Sequence, residues 1–264
     1  MTEGLRTMIQ GLPDLPGVYF FYTQHDELVY IGKSVHIRKR VLQHLHGKDL
    51  KSRRIQRTVT RIAYELMGSE LIALLYESDL IKRYQPLYNC SQRRTIDRFG
   101  LYIQYENGFK ALRIEHNQED GNEIATFAGM TEAKNTLYRL TEKYKLCQKI
   151  NGLYKTRSAC FHYQLKSCYG ACIGKETPES YNQRADKFLH EHRFERFTKL
   201  FEVEGRSAAE KGLVYIEKGI YMGFGFCAQN TPQNSLLKHI TYRADNKDVR
   251  RILMRHLINR RVHI

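Results

Sequence analysis

The sequence lacks any apolar run long enough to cross a bilayer, and its first residues lack the basic start, apolar centre and small-residue cleavage site of a secretory signal. It has no glycine-rich phosphate loop, which argues against a nucleotide-hydrolysing motor. It also has no internal repeat and no low-complexity segment. We therefore expect a soluble, cytoplasmic protein. The 264 residues, 42% of them hydrophobic, are enough for one large domain or two small ones with a buried core.

Acidic residues are also scarce. The chain has 28 Asp and Glu against 43 Lys and Arg, a net charge of +15 and a pI near 9.5. Residues 33–57 hold nine Lys or Arg and one acid, and residues 247–261 hold six and one. Such clusters favour a polyanionic partner, because each phosphate contact releases counterions. A nucleic acid fits better than a membrane surface, which would require a stronger apolar face; a generally basic, solvated surface is the plainer alternative.

Turn residues and hydrophobic periodicity predict the order β-β-α-(α)-β-α for the first ninety residues. We expect a helix capped by Ser34, a helix or a loop over 51–60, and a long helix that begins at Ser69 and is stopped by Pro86. The three strands are predicted over 17–22, 27–32 and 62–66. The result is a small α/β (α+β) sandwich, a three-stranded and mainly antiparallel sheet flanked by helices.

The remaining residues predict a second mixed region and a small α+β tail. Strand-like pieces lie at 101–106, 111–115 and 124–127, and helices are expected over 131–146 and within 178–205. The tail begins with a hairpin around Lys218-Gly219 and finishes with a basic helix from Lys247 to about Asn259. We expect domains at 13–92, 93–205 and 206–264.

The stretch "GVYFFYTQHDELVYIG" carries two short triplets, Gly17-Val18-Tyr19 and Tyr30-Ile31-Gly32, on the two strands of a hairpin. Cross-strand aromatic packing would explain the tyrosines alone. The spacing of the triplets, with the residues that follow them, resembles the GIY-YIG nucleases, and in particular the N-terminal nuclease domain of the UvrC/Cho group. The further residues that fall where this family has them are Lys33, Arg40, Glu77 and Asn89.

The resemblance implies a hydrolytic site for phosphodiester bonds. Glu77 would give one carboxylate to Mg²⁺ or Mn²⁺, which prefers few protein oxygens and retained waters. One tyrosine would relay a proton from the attacking water; we favour Tyr30, with Tyr19 in a positioning role, and leave the choice open. A free phenol is a weak base at neutral pH and requires a nearby cation to ionise. Arg40 would bind the scissile phosphate through its forked donors.

Three further residues complete the expected site. Lys33 directly follows the second triplet. His44 lies one turn after Arg40; it either contacts the phosphate or assists proton transfer, or it is simply solvated. Asn89 resembles the asparagine that holds this site together in the family, with a plain turn residue as the alternative. The alternative for Glu77 is an exposed helix glutamate.

The basic residues around the first helices are the expected DNA contacts. They are Lys33, Arg38, Lys39, Arg40, Arg53, Arg54 and Arg57.

Four of the six cysteines fall within 26 residues, which in a reducing compartment favours metal ligation over disulfides. The segment "CFHYQLKSCYGACIG" resembles the cysteine region of the same family, and the resemblance implies a four-iron, four-sulfur cluster. Spacing alone also allows Zn²⁺ or unligated buried thiols. The expected ligands are Cys147, Cys160, Cys168 and Cys172, whereas Cys90 and Cys227 lie outside the cluster.

The family resemblance covers about residues 13–180 and implies a metal-dependent endonuclease of excision repair that makes one cut, on the 3′ side of a lesion. Damaged double-stranded DNA and a UvrB-like damage-recognition protein are the expected partners. The tail resembles the end of fusions in which an exonuclease precedes a Cho-like region. The alternatives are a catalytically silent DNA-binding module that recruits repair proteins and a sequence-specific homing or restriction nuclease.

Overall fold

The computed structural model describes residues 3–89, 97–118, 122–156, 158–191 and 198–259. The chain divides into two compact units, one made of Met1–Thr95 with Glu195–Ile252 and the other of Ile96–Phe194 with Leu253–Ile264. Across the described ranges, no helix is both long and apolar enough to cross a membrane.

The helices in chain order are α1 (Glu3–Gln10), α2 (Ile37–His46), α3 (Leu50–Thr58), α4 (Glu70–Tyr84), α5 (Met130–Lys143), α6 (Phe161–Gln164), α7 (Pro178–Glu191) and α8 (Lys247–Asn259). The strands are β1 (Gly17–Tyr22), β2 (Leu28–Ser34), β3 (Arg61–Leu66), β4 (Phe99–Glu106), β5 (Phe109–His116), β6 (Ala125–Phe127), β7 (Lys199–Glu204), β8 (Glu210–Glu217), β9 (Ile220–Ala228) and β10 (Ile240–Tyr242).

The first unit begins with a three-stranded antiparallel sheet in the order β2-β1-β3. Its core is built from apolar side chains of the sheet and of the helices around it, including Phe21, Ile37, Val41 and Ile55. The predicted α/β (α+β) sandwich with a three-stranded sheet is therefore confirmed. Strand β1 is central, whereas β2 is an edge strand, and this difference decides how the site is built.

Two local predictions on this unit have different outcomes. The predicted cap at Ser34 is wrong: Ser34 is the last residue of β2, and its hydroxyl accepts from the amide of His36 at 2.9 Å, so α2 begins only at Ile37. The ambiguous segment 51–60 contains a helix, because the carboxylate of Asp49 accepts from the amide of Ser52 at 3.0 Å and caps α3.

Helix α4 is buried on more than one side. Ser69 caps its start by accepting from the amide of Ile72, and Gln85 ends it in the left-handed region at φ 44°, directly before Pro86. One side of α4 packs on β1 and β2. On another side the ring of Tyr76 meets Phe224 of β9 edge-on, with centroids 5.7 Å apart. A helix enclosed in this way has apolar residues around most of its circumference.

The tail forms a second sheet in this unit, in the order β10-β9-β8-β7. The predicted hairpin is confirmed: Lys218 and Gly219 have φ of 48° and 76°, the two positive values that a tight primed turn requires. The prediction that helix continues to about residue 205 is wrong. Residues Lys199–Glu204 are strand β7, which pairs with β8 from Lys199 opposite Ile216 to Glu204 opposite Lys211.

The second unit has a three-stranded antiparallel sheet in the order β5-β4-β6, packed with α5 and α7 around a core that includes Leu101, Phe127 and Phe188. Helix α5 ends three residues before the predicted Leu146, because Lys145 adopts a positive φ of 50°. Asn151 is buried, and its amide accepts from the backbone of Leu112 at 2.7 Å and donates to the carbonyl of Cys147 at 2.7 Å. These bonds connect the sheet to the first of the four clustered cysteines.

Candidate active site

The two glycine–tyrosine triplets lie opposite each other in the β1–β2 hairpin. Tyr19 pairs with Gly32, and Phe21 pairs with Tyr30, so the two phenols share one face of the sheet with ring centroids 5.9 Å apart. A Cβ atom at Gly32 would lie 2.4 Å from the hydroxyl oxygen of Tyr19. The second triplet therefore ends in glycine because the ring of the first triplet occupies that space.

The first glycine has a different steric reason. Gly17 faces Leu66 of β3, and a Cβ atom there would lie 2.2 Å from the carbonyl oxygen of Glu65. Backbone cannot move aside as a flexible side chain can. The first triplet thus begins with glycine because the backbone of β3 at Glu65 leaves no room for a side chain on this side of the central strand β1.

His44 of α2 lies against both phenols. Its Nε2 is 2.9 Å from the hydroxyl oxygen of Tyr19, and its ring meets that of Tyr30 edge-on at 5.2 Å. His44 is 7% exposed, so the solvated alternative is wrong. Burial, together with the charges of Arg40 and Lys51, lowers the pKa of His44 to about 4. The imidazole is therefore neutral at pH 7, and Nε2 accepts a hydrogen bond from the hydroxyl of Tyr19 when the ring proton is on Nδ1.

Both phenols are protonated in this environment. Burial first, and the charge of Glu77 second, raise the pKa of Tyr30 to about 12. The pKa of Tyr19 is raised well above 10, also mainly by burial. The charge of Arg40 opposes both shifts. Any role of either phenol as a base therefore requires additional positive charge in the site.

Glu77 and Asn89 occupy the open edge of β2. The backbone amide of Lys33 donates to Oε1 of Glu77 at 2.9 Å. Two residues earlier, the amide of Ile31 donates to Oδ1 of Asn89 at 2.9 Å, and Nδ2 of Asn89 donates back to the carbonyl of Ile31 at 2.8 Å. An edge strand presents such groups unpaired. Here two side chains bind them in place of a fourth strand.

This arrangement contradicts the exposed alternative for Glu77 and gives Asn89 a tertiary contact beyond its turn. Glu77 is 8% exposed, although it lies on a helix whose sequence also allowed a solvated position, and Asn89 is fully buried. A buried carboxylate requires hydrogen bonds or positive charge to remain ionised. The Lys33 amide provides one such bond at the point where the hairpin, α4 and the 3-10 turn Leu87–Asn89 meet.

The side chains of Lys33 and Arg40 lie at the rim of this site. Nζ of Lys33 forms an ion pair with Glu70 at 2.5 Å, so the contact of this residue with Glu77 is through its backbone. Arg40 is exposed and donates to Oε1 of Gln43 at 2.9 Å. Its charge still affects the pKa of both phenols and of His44.

Lys51 is a site residue that the sequence analysis missed. Its Nζ lies 4.0 Å from the ring centroid of Tyr30, within the range of a cation–π interaction. A firm helical assignment of 50–58 would have found it, because Ile55, the buried anchor of α3, lies four residues later on the same face.

The predicted DNA contacts form a basic surface beside the site. Arg38, Lys39, Arg53, Arg54 and Arg57 are all exposed. Arg38 donates to the carbonyl of Leu12 at 2.7 Å, and none of the five forms an ion pair with a residue in the described ranges. A groove of about 420 Å³ is lined by Arg38 and Lys39 together with Asp14, Leu42, Gln43 and His46. Part of the second basic stretch, residues 260–261, lies outside the described residues.

The four clustered cysteines converge in the second unit. The Sγ atoms of Cys147, Cys160 and Cys168 all lie within 4.8 Å of one another, and Sγ of Cys172 is 3.9 Å from that of Cys160. Four thiols at this separation can bind one metal centre, and the donor set suits iron–sulfur or zinc chemistry. Cys227 is buried in the core of the tail sheet, and Cys90 lies outside the described residues.

Two family models match this chain. Residues 15–90 match the UvrC-like GIY-YIG domain, and residues 100–191 match the UvrC/Cho excinuclease middle domain. The matched ranges contain the hairpin site and the four cysteines, respectively, whereas the tail sheet lies beyond both.

Curated relatives agree with these matches. The chain is 38% identical to excinuclease cho of Salmonella typhi over 71% of its own length and 64% of that protein. It is 30% identical to UvrABC system protein C of Psychrobacter cryohalolentis over 78% of its length and 35% of that protein. It is also similar to the magnesium-bound GIY-YIG N-terminal endonuclease domain of UvrC from Thermotoga maritima, with 32% identity, coverage of 34% of this chain and 99% of that one, and a TM-score of 0.32. This chain thus spans less than two thirds of the curated excinuclease cho that it matches.

The buried neutral His44 predicts a specific acid sensitivity. Its pKa is about 4 in the folded chain, whereas an ordinary histidine has a pKa of 6.5. The unfolded chain therefore binds the proton first, and stability is lost as the pH falls from about 6.5 to 4. The loss amounts to about 3 kcal/mol at the lower end and is absent above a pH of about 6.5. His44→Gln should flatten this part of the stability curve, measured by urea unfolding followed by far-UV circular dichroism.

The control for this experiment is His25→Gln, the same replacement on an exposed turn. Parallel stability curves for the wild type and His44→Gln between about pH 7.5 and 4.5 would contradict the assignment of a neutral buried ring.

Proposed function

The chain belongs to the UvrC/Cho excinuclease family, and we propose that it is a divalent-metal-dependent DNA endonuclease of the nucleotide excision repair type that hydrolyses one phosphodiester bond on the 3′ side of a lesion. The single observation that carries this proposal is the buried carboxylate of Glu77, held by the Lys33 amide beside two buried phenols and within the field of Arg40.

The residues around Glu77 fit a divalent cation. The donor is one carboxylate in a site built from oxygen groups, which suits Mg²⁺ or Mn²⁺, because such ions keep several waters and take few protein ligands. We propose Glu77 as the protein ligand. When bound, the cation would supply positive charge beside the phosphate and the phenols, which opposes the effect of burial on their pKa values.

The remaining side chains divide the work of hydrolysis. The ring of Tyr30 lies 4.0 Å from Nζ of Lys51 and within the field of Glu77. We propose that its oxygen, once the added positive charge favours the phenolate and its own proton has left to solvent, accepts the proton of the attacking water. Tyr19 is held by neutral His44, so its hydroxyl is kept in one orientation and positions the water or the phosphate. Arg40 at the rim neutralises the charge that develops on the phosphate oxygens through its planar fork.

The substrate follows from the charges around this pocket. The exposed arginines of α2 and α3 supply phosphate contacts on one side of the site, and we propose that Arg53, Arg54 and Arg57 contact the duplex backbone, together with Lys33, Arg38, Lys39 and Arg40. Damaged double-stranded DNA and a UvrB-like damage-recognition protein are proposed partners.

The four cysteines would hold a four-iron, four-sulfur cluster, with Zn²⁺ as the alternative. Their sulfur atoms converge closely enough for either. The proposed role is structural, because ligation would close the long loop between α5 and α7 and so contribute to folding directly. No redox role follows from this geometry.

The first test of the catalytic proposal is plasmid nicking with Mg²⁺ or Mn²⁺. Glu77→Gln keeps an acceptor for the Lys33 amide and removes the charge, and it should lower the nicking rate by about 100-fold or more. Glu27→Gln makes the same chemical change on an exposed turn and should nick as the wild type does.

Equal nicking by Glu77→Gln and the wild type would refute the assignment of this site. Comparison of adducted and clean plasmid in the same assay separates a repair nuclease from a sequence-specific one. Tight DNA binding by the wild type without any nicking would support the silent-module alternative.

The electrostatic part of the proposal predicts a steep dependence of duplex affinity on salt. Because the three arginines of α3 are exposed and unneutralised by described residues, Arg53→Gln and Arg57→Gln should each reduce the slope of log affinity against log salt by about 0.9. The measurement is fluorescence anisotropy of a labelled duplex between 50 and 200 mM salt, about the range in which such contacts dominate. Lys211→Gln, whose partner is Glu202, is the control, and an unchanged slope for both arginine variants would contradict the predicted surface.

The cysteine proposal predicts iron and a visible absorbance band in protein purified without oxygen. Cys160→Ser should lose the metal and lower the melting temperature, since Cys160 approaches all three other cysteines. Cys227→Ser, in the core of the tail sheet, should keep the metal. Zinc without iron would support a zinc site in place of the iron–sulfur cluster. The absence of both metals would contradict metal ligation by these cysteines.

A further inference from the structure

The loop around the four cysteines is basic and contains no acid. Residues 145–175, which we call the cysteine loop, hold six Lys or Arg and no Asp or Glu. Five of these cations lie in the described part of the chain, four of them exposed, and none forms an ion pair with another described residue. They are Lys145, Lys149, Lys155, Lys166 and Lys175. This stretch lies outside the two basic segments that the sequence analysis assigned to DNA.

The cysteine loop also exposes large apolar side chains. Phe161 is 54% exposed, Leu165 58% and Tyr169 49%, and Tyr154 and Ile173 are exposed as well. Single exposed apolar residues are ordinary, but a group of them on one short loop marks a surface that another molecule covers.

The clustered cysteines hold these side chains close together. Phe161 directly follows Cys160, Tyr169 follows Cys168, and Ile173 follows Cys172. Since the sulfur atoms of these three cysteines converge, the backbone segments that carry Phe161, Tyr169 and Ile173 are held near one another. The apolar group is therefore a fixed feature of the loop fold.

Tyr169 is the best-defined ring of this group. The guanidinium of Arg184 lies 4.7 Å from its centroid, and Nζ of Lys145 lies 5.5 Å away. Arg184 is in turn fixed by Glu176 at 2.5 Å and by the carbonyl of Tyr144 at 3.1 Å. The ring is thus held in place with half of its surface still open to solvent.

We propose that the cysteine loop is a second nucleic-acid-binding surface, which stacks unpaired bases on Tyr169 and Phe161 and binds the phosphates of the same strand with its lysines. Unneutralised cations interleaved with exposed aromatic rings match a single strand, whose bases present open faces, whereas a duplex hides those faces. An acidic protein would form ion pairs with the lysines but would not account for the exposed aromatic rings. This inference rests on the proposed action on DNA, and it concerns binding, so it can fail or hold independently of the catalytic site.

The test is the binding of a fluorescein-labelled single-stranded oligothymidylate to the whole chain in a buffer without Mg²⁺ or Mn²⁺ and without a chelator, followed by anisotropy. Tyr169→Ala and Phe161→Ala should each weaken single-strand affinity about tenfold and leave duplex affinity nearly unchanged. Tyr169→Phe should bind as the wild type does, since it keeps the ring. Lys155→Gln combined with Lys166→Gln should reduce the single-strand salt slope by about 1.4.

The matched control is Tyr105→Ala, an exposed tyrosine on β4 that is followed by Glu106. Thermal unfolding of each variant checks that the fold is kept. If Tyr169→Ala unfolds because Arg184 loses its partner, Phe161→Ala and the Lys155→Gln, Lys166→Gln double variant still test whether the cysteine loop binds a single strand. Wild-type affinity in Phe161→Ala and in the lysine variant would overturn the proposal. Equal losses on single strand and duplex would overturn the stacking of bases. Because nicking is measured separately, loss of activity in Glu77→Gln with normal oligothymidylate binding distinguishes the two sites.

Discussion

The site depends on the open edge of strand β2. Ile31 and Lys33 direct their amides away from the sheet, where a further strand would normally bind them, and the side chains of Asn89 and Glu77 bind them instead. The hydrogen bonds that complete the sheet are therefore the same ones that position the carboxylate. Since Tyr19 and Tyr30 belong to the same hairpin, strand pairing sets which face of the sheet both phenols share and how far apart they lie.

Burial also sets the protonation states of Tyr19, Tyr30 and His44 before any substrate binds. Burial first, and the charge of Glu77 second, raise the pKa of Tyr30, while burial lowers the pKa of His44. The resting pocket thus holds one negative charge, protonated phenols and a neutral imidazole, with Arg40 and Lys51 at its margin. Under the proposed function, such a pocket would bind a cation and the phosphate of the substrate, and its proton distribution would change only on their arrival.

Much of this architecture could be predicted from the sequence because local signals agreed with the fold. Lys218-Gly219 has the chemistry of a tight turn, and Ser69 and Pro86 mark both ends of α4. The failures have physical causes. Ser34 has the right side chain for a cap, but strand pairing extends through it. Lys199–Glu204 has a charge pattern that suits a helix, and only its pairing with β8 makes it a strand. Lys51 acts through a ring on another element, so its role is visible only once 50–58 is assigned as a helix whose buried face meets the hairpin. The contact between Glu77 and a backbone amide is equally invisible, since the sequence cannot orient a helix about its own axis.

Helix α4 carries Glu77 between two sheets, and this has a consequence for variation far from the chemistry. Gly212 of β8 leaves room for Ile72, and a Cβ atom there would lie 2.6 Å from Cδ1 of that residue. Ile72 precedes Glu77 by about one and a half turns, roughly 7 Å along the axis. A helix that is pushed on one side rotates or shifts as a unit. We therefore expect bulk added at Gly212 to alter the position of Glu77 through α4, which couples the tail sheet to the candidate site.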